Sequence, residues 1–369
     1  MKRHPMHSIC PYFAMFPEDF VRKYLEKFTA PGDYIFDPFS GRGTTLFQSL
    51  LMNRNAAAVD INPVAYCISS AKATMPSSGK LLKEIDSLKS LFQQCDQTAL
   101  EDERQNLPPF FRRAFYHTTL RQVLFLRRSL RWKEKPLHRF IAALSLGSLH
   151  GEMDKSSSYF SNQMPRTIST KPVYSLKYWR ENDLWPQKRD VFSILRSRAE
   201  LRLSQGLPPK RGKVALSDVR RAGNRLPQLQ GMVRAVVTSP PYLNVTNYEE
   251  DQWLRLWFLG SDPQPTYNKV SQDDRHESED NYWAFLQEAW DGIASLLRKD
   301  AVLVCRLGAK GISKRNLTIG LTESLRATFP QVAAIRRPLI SNIRNRQTEY
   351  FRPGSKGCLY EVDYVFRLN

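Results

Sequence analysis

An α/β fold on a mainly parallel sheet is predicted by three stretches of this 369-residue chain. Tyr34-Ile35-Phe36-Asp37-Pro38-Phe39-Ser40-Gly41-Arg42-Gly43-Thr44-Thr45, continued by a helical run from Leu46 to Asn53, reads strand, glycine-containing loop, helix. Ala56-Ala57-Ala58-Val59 reads as a second strand closing on Asp60, and Ile61-Asn62-Pro63 opens a helix that reaches about Ala73. Ala235-Val236-Val237-Thr238-Ser239-Pro240-Pro241-Tyr242 is a β-branched run cut short by a double proline, so a buried strand must finish at Thr238 or Ser239. Strands alternating with helices give a parallel sheet covered by helices on both faces. Ligands of such sheets bind beyond the carboxyl ends of the strands.

Ahead of the first strand, Pro17 suits a first helical position, with Glu18 and Asp19 in the turn where the helix dipole favours carboxylates. Phe20, Val21, Tyr24, Leu25 and Phe28 then form one apolar stripe, ended by the turn Ala30-Pro31-Gly32-Asp33. From 76 the α/β alternation lapses. Helices are expected around 80–95, 111–131 and 137–150, with Arg127, Arg131 and Lys135 on one face, and an irregular segment over 154–190. That segment interleaves Arg166, Lys171, Lys177 and Arg180 with Tyr174, Tyr178 and Trp179, a pattern that can hold phosphates and stack bases, or simply pack. Alternation resumes with the strand Lys213–Leu216 leading to Asp218. After the double proline come a loop at 244–248, a helix at 249–260 with Trp253, Leu256 and Trp257 on one face, and a polar loop at 261–280. A helix near 281–298, a strand at 301–305, a helix around 316–328 and strands near 331–336 and 359–366 close the chain. Arg336, Arg337, Arg344, Arg346 and Arg352 form a second basic patch between the last two strands.

The apolar share of 41% and charged share of 25% are those of an ordinary globular protein. No run of about 18 apolar residues predicts a membrane span, and the N-terminus has no apolar signal core. Cys10, Cys67, Cys95, Cys305 and Cys358 are scattered without metal-ligand spacing, which predicts no metal site, no disulfide framework and a reducing cytoplasm. The net charge of +19 is the informative number, since it favours a polyanionic partner. Between Glu101 and Arg234 lie 27 Lys and Arg against 11 Asp and Glu, so most of the excess sits there.

The chemistry is expected where the strands end. In dinucleotide-type folds the first loop passes close to its ligand through glycines, and the acid ending the second strand takes the ribose hydroxyls. Asp60 lies 19 residues after Gly41 and suits that role. The loop has neither the third glycine of G-x-G-x-x-G nor a P-loop Gly-Lys-Ser/Thr, and Asp37 places a carboxylate at its mouth. A ligand carrying an ammonium and a sulfonium fits better than one carrying phosphates, which favours S-adenosylmethionine over NAD or ATP. At 239–242 a hydroxyl, stiffly held carbonyls and an aromatic ring suit a planar group bearing an N–H₂, such as a nucleobase. Each feature alone has an ordinary structural reading as a turn or a helix cap. Their joint placement at strand ends argues for a site.

The stretches 37–45 and 238–242 together resemble the two motifs of the DNA amino-methyltransferases, D-P-F-x-G-x-G-T-T and S/D/N-P-P-Y/F. The resemblance implies a Rossmann-like class I methyltransferase sheet with helices on both faces and a large, mainly helical, basic insertion. Residues 1–75 and 213–369 would be the S-adenosylmethionine-binding catalytic domain, and 76–212 an inserted domain for DNA-target recognition. Asp37, Pro38, Phe39, Gly41, Gly43 and Thr44 would line the methionine half of the cofactor. Asp60 would take the ribose, Ile61 would pack on the adenine, and Asp218 would contact the adenine amino group. Ser239, Pro240, Pro241 and Tyr242 would hold a base flipped from double-stranded DNA, with Tyr242 stacked on it. The segment around 12–17 resembles the family's N-terminal cofactor-flanking motif. Ser at 239 points to cytosine N4, with adenine N6 as the alternative. A restriction-modification role with a cognate endonuclease is implied, and the sequence leaves oligomeric state open. The proline motif follows the cofactor motif by about 200 residues, whereas in many members with this motif it comes first. The insertion precedes the third strand. An RNA methyltransferase and a catalytically silent DNA-binding protein are the rival readings.

Overall fold

The structure, a computed structural model, describes residues 3–12, 16–153, 158–165, 171–243, 248–265, 278–308, 311–343 and 358–369. Two compact units emerge. One comprises Met1–Phe13, Thr74–Leu207 and Tyr248–Asn268; the other comprises Ala14–Ala73, Pro208–Asn247 and Lys269–Asn369.

The second unit holds the sheet. Its strands are β1 (Tyr34–Asp37), β2 (Asn55–Asp60), β3 (Lys213–Leu216), β4 (Val233–Thr238), β5 (Leu297–Gly308), β6 (Ala333–Ala334), β7 (Leu339–Asn342) and β8 (Tyr360–Leu368). Their order is β3-β2-β1-β4-β5-β8-β6, with β7 also pairing β8. The first five are parallel, and β8 runs antiparallel to β5. This is the Rossmann-like class I methyltransferase sheet that the motifs imply. The chain moves outward through β1, β2 and β3, then returns to lay β4 against the other side of β1. That reversal opens a crevice between the carboxyl ends of β1 and β4, where open α/β sheets place their sites.

Helices cover both faces: α1 (Glu18–Phe28), α2 (Thr44–Leu51), α3 (Pro63–Ala73), α4 (Glu279–Ala294) and α5 (Lys314–Thr328). Side chains along a strand alternate between faces, and the core follows that rule. Ile35, Ala235, Val237, Val302 and Val304 pack with Phe20, Val21, Tyr24 and Leu25 of α1. Phe36, Val236 and Leu303 point the other way, into a cluster with Leu286 and Trp290 of α4 and Leu321 of α5. Burial of each large apolar side chain contributes roughly 1.5–3 kcal/mol.

The first unit is mainly helical. Its helices are Ser78–Gln94, Thr98–Asn106, Pro109–Ala114, His117–Ser129, Pro136–Leu146, Pro172–Glu181, Val191–Leu203 and Tyr248–Phe258. Two expectations are corrected there. The helix expected over 111–131 is two helices, and the second stops at Ser129, because Leu130 takes extended angles (φ −77°, ψ 109°). Arg131 instead pairs with Glu134, and Lys135 precedes the proline that opens the next helix, so no common face exists for Arg127, Arg131 and Lys135. The segment 154–190 is not irregular throughout. Pro172 opens a helix that buries Ser175 and Trp179 while leaving Tyr174 and Arg180 exposed. Residues 154–157 and 166–170 of that segment lie outside the described residues, as do 13–15, 244–247, much of the 261–280 loop, and Arg344, Arg346 and Arg352. Among the described residues no helix is long and apolar enough to cross a membrane, and no group of His, Cys, Asp or Glu is placed to hold a metal ion. None of the five cysteines, all of them among the described residues, is in a disulfide.

Candidate active site

Two side-chain hydrogen bonds fasten the two sequence motifs to each other. Thr238 Oγ1, at the end of β4, donates to Asp37 Oδ1, at the end of β1, over 2.7 Å. Thr45 Oγ1, from the start of α2, donates to the carbonyl of Val237 over 2.9 Å. The loop after β1 and the double proline after β4 therefore lie side by side at the carboxyl ends of neighbouring strands, although about two hundred residues separate them in the chain. Neither threonine was singled out from the sequence. Their role depends on β1 pairing with β4, which a linear reading does not supply.

The loop itself is tightly determined. Gly41 and Gly43 adopt φ of +50° and +72°, a region that side chains with a Cβ enter only with strain. A Cβ on Gly43 would meet Ser69 Cβ of α3 at 2.8 Å. Gly41 N donates to Asp60 Oδ2 over 2.8 Å, and Asn62 N donates to Asp60 Oδ1 over 2.9 Å, so Asp60 ties the first loop to the second. From beneath, the fully buried Lys72 of α3 donates to the carbonyl of Arg42 over 2.6 Å. Pro38 and Thr44 are buried, and Phe39 packs edge-on against Phe285 at 5.8 Å.

The electrostatics single out two carboxyls. Burial pushes Asp37 up to about 7 despite hydrogen bonds from Thr238 and Phe39 N, and nearby Asp60 adds to the rise. Burial likewise raises Asp60 to about 6, against the pull of the Asn62 and Gly41 amides. In the same loop Ser40 Oγ is buried without a hydrogen-bond partner among the described residues. Beside Asp60, Ile61 is 56% exposed, a large apolar side chain left open at a strand end. Asp218 lies two residues past β3. It caps a short turn through Arg220 N and forms a bidentate pair with the Arg220 guanidinium at 2.6 and 3.1 Å.

At the other wall, Ser239 is half-buried and Pro240 buried, and the Pro241 carbonyl accepts from Tyr282 Oη over 3.0 Å. The Tyr242 ring, expected to stack on a base, is 6% exposed. Its Cε2 and Cδ2 lie 2.7 and 3.0 Å from where a Cβ on Gly308 would stand, so the absence of a side chain at 308 makes room for the ring. Its hydroxyl donates to Glu361 Oε1 of β8 over 2.9 Å and accepts from Ser239 Oγ over 3.3 Å. The Tyr242 hydroxyl thus links Ser239 to Glu361. Glu361 and the Arg306 behind it were not foreseen, being far from either motif in sequence.

Comparison with known proteins finds similarity to DNA methyltransferases. The family model for DNA methylases (N6_N4_Mtase) matches residues 2–70. The type II methyltransferase M.MjaII of Methanocaldococcus jannaschii is 37% identical over 78 residues, 21% of this chain and 15% of that protein. M.BsoBI of Geobacillus stearothermophilus, also a type II methyltransferase, is 24% identical over 284 residues, 71% of this chain and 54% of that protein. The chain thus spans about half the length of the second relative and far less of the first. Among solved structures, the rRNA methyltransferase AviRa of Streptomyces viridochromogenes covers 100% of this chain and 90% of its own, at 13% identity and a TM-score of 0.36, too distant to carry any argument. The chain is thus similar to DNA methylases over residues 2–70 and to type II methyltransferases over part of their length, in keeping with the resemblance carried by the two motifs.

Proposed function

We propose that this protein is an S-adenosylmethionine-dependent DNA methyltransferase that acts on the exocyclic amino group of a flipped base, cytosine N4 in the first instance. The observation that supports this reading is the Thr238–Asp37 bond, which ties the loop after β1 to the strand end that carries the double proline. The residues present fit the cofactor. The buried Asp37 carboxyl and the buried Ser40 hydroxyl suit its ammonium end, Asp60 its ribose, and exposed Ile61 its adenine face. Pro38, Phe39, Gly41, Gly43 and Thr44 would line the same half of the site, with Asp218 at the adenine amino group. When bound, the cofactor supplies an electrophilic methyl group.

The chain's own work is on the base. An exocyclic amino group is a weak nucleophile because its lone pair is shared with the ring. Hydrogen bonds from its N–H₂ to Ser239 Oγ and the Pro240 carbonyl would pull that pair out of conjugation and aim it across the crevice. Prolines at 240 and 241 hold this grip stiffly, so orientation and electrostatics supply most of the acceleration. Ser239 favours cytosine N4, and adenine N6 is the alternative to be told apart by product analysis. In this reading 76–212 recognises the DNA target, with its basic excess facing phosphates, and the protein is the modification half of a restriction-modification pair. Five cysteines outside any disulfide suit the cytoplasm.

The test is to express the protein in cells, recover plasmid DNA and identify methylated nucleosides by mass spectrometry. N4-methylcytosine is expected. N6-methyladenine would correct the base, and an unmodified plasmid with methylated RNA would replace the substrate. Ser239→Ala should lower methyl transfer by about a hundredfold or more while leaving cofactor binding intact. Full activity in that variant would overturn the site.

A further inference from the structure

A line of polar side chains runs away from Ser239 into the sheet. Ser239 Oγ donates to Tyr242 Oη at 3.3 Å, and Tyr242 Oη donates to Glu361 Oε1 at 2.9 Å. Glu361 Oε2 lies 3.3 Å from Arg306 Nη1. Arg306, on β5, is itself fixed by a bidentate pair with Asp363 at 2.7 and 3.1 Å and by the Phe20 ring, 4.1 Å from its guanidinium carbon. Arg306 and Asp363 are direct partners in the β5–β8 register, and Glu361 lies two residues along β8 on the same face as Asp363.

The direction of donation in this line matters. A carboxylate only accepts, so the Tyr242 proton is committed to Glu361. The Tyr242 oxygen then accepts from Ser239. With its own proton spent, Ser239 Oγ has only lone pairs left to offer the crevice. An N–H₂ group needs an acceptor there. Were Glu361 unable to accept, Tyr242 would be free to donate toward Ser239, and the serine proton would turn toward the substrate's own N–H.

We propose that Glu361 is a positioning residue of this site, fixing Ser239 as an acceptor through Tyr242 and receiving the proton that the methylated nitrogen sheds. The inference rests on the amino-methyltransferase reading above. A nitrogen that gains a methyl group carries one proton too many. That N–H bond breaks and its electron pair stays on nitrogen as the proton passes to Ser239 Oγ. The serine hydroxyl proton passes to Tyr242 Oη, and the tyrosine proton passes to Glu361 Oε1, leaving a neutral acid that later loses its proton to water. Tyr242 is suited to relay rather than ionise, since burial and the Glu361 charge hold its phenol well above the usual value.

The experiment compares wild type, Glu361→Gln, Tyr242→Phe and the double variant. The probes are plasmid DNA and labelled S-adenosylmethionine. Steady-state and single-turnover transfer, cofactor affinity by calorimetry and the NMR signal of carbon-13 tyrosine at 242 are followed. Glu361→Gln is expected to lower kcat about a hundredfold with KM and cofactor affinity unchanged, and to let the Tyr242 phenol ionise at lower pH. Glu361→Asp is expected to recover part of the rate. Tyr242→Phe should match Glu361→Gln, and the double variant should be no slower than either. Wild-type kcat and an unmoved Tyr242 signal in Glu361→Gln would overturn the inference while the reading stands. If Glu361→Gln does not fold, wild-type kcat in Tyr242→Phe overturns it equally. Absence of transfer by the wild type would overturn the reading, and this inference with it.

Discussion

Asp37 is the residue on which pH should act most directly. Its folded value of about 7 stands well above its ordinary 3.8, because burial penalises the charged form. A raised carboxyl contributes stability that is fully present below the ordinary value and lost as pH rises through the folded one. The ligand-free protein should therefore lose stability as pH climbs from about 4 to above 7, and Asp37→Asn should flatten that slope in thermal melts at matched pH. Cofactor binding should show the opposite trend. An ammonium favours the ionised carboxylate, so affinity should rise as pH passes through about 6–7, with release of up to one proton per ligand bound. Calorimetry in buffers of different ionisation enthalpy measures that release. Affinity independent of pH would show that Asp37 does not hold the cation.

The loop after β1 shows how an element can be held from several sides. Asp60 grips it at Gly41, Lys72 at Arg42, and α3 crowds it at Gly43. Gly43→Ala must both strain a φ of +72° and push Ser69, whose Cβ stands 2.8 Å away, so a loss of about 1–3 kcal/mol is expected by urea unfolding. Gly32→Ala is the control: its φ is +94° but a Cβ there meets nothing within 4 Å, so backbone strain acts alone and cofactor affinity should be unchanged. Equal losses of affinity in the two variants would remove the loop from the cofactor site. This loop was legible in the sequence because its signals are local: a strand, closely spaced glycines, a helix start, and an acid 19 residues on. Glu361 was not, because its link to Tyr242 spans 119 positions and depends on β8 folding back antiparallel to β5. Basic residues at four-residue spacing misled for a related reason. Arg127 and Arg131 suggest one helix face, yet the backbone turns at Leu130, and Arg127 donates to the Trp257 carbonyl instead. The helix Pro172–Glu181 escaped notice because only Ser175 and Trp179 are buried, too few to show a helical stripe.

Charge is the property that belongs to the whole molecule. A net charge of +19 produces a field that attracts any polyanion, so binding strength alone would say little about specificity. Salt dependence says more. Each phosphate neutralised by a Lys or Arg releases counterions, and the slope of log affinity against log salt counts them at about 0.9 per contact. If the helical unit carries the DNA contacts, its exposed cations should contribute to that slope. Arg180 is an informative choice, since it stands exposed on the Pro172–Glu181 helix, as Tyr174 does, and directly follows the buried Trp179. Arg180→Ala in the full chain should leave cofactor affinity and thermal stability unchanged. It should weaken binding to mixed-sequence duplex and to any methylated site by the same factor, and lower the salt slope by about one. A fall restricted to the methylated site would make Arg180 a reader of bases. An unchanged slope would move the phosphate track off this helix, leaving the remaining exposed cations of 76–212 to be tested by the same titration.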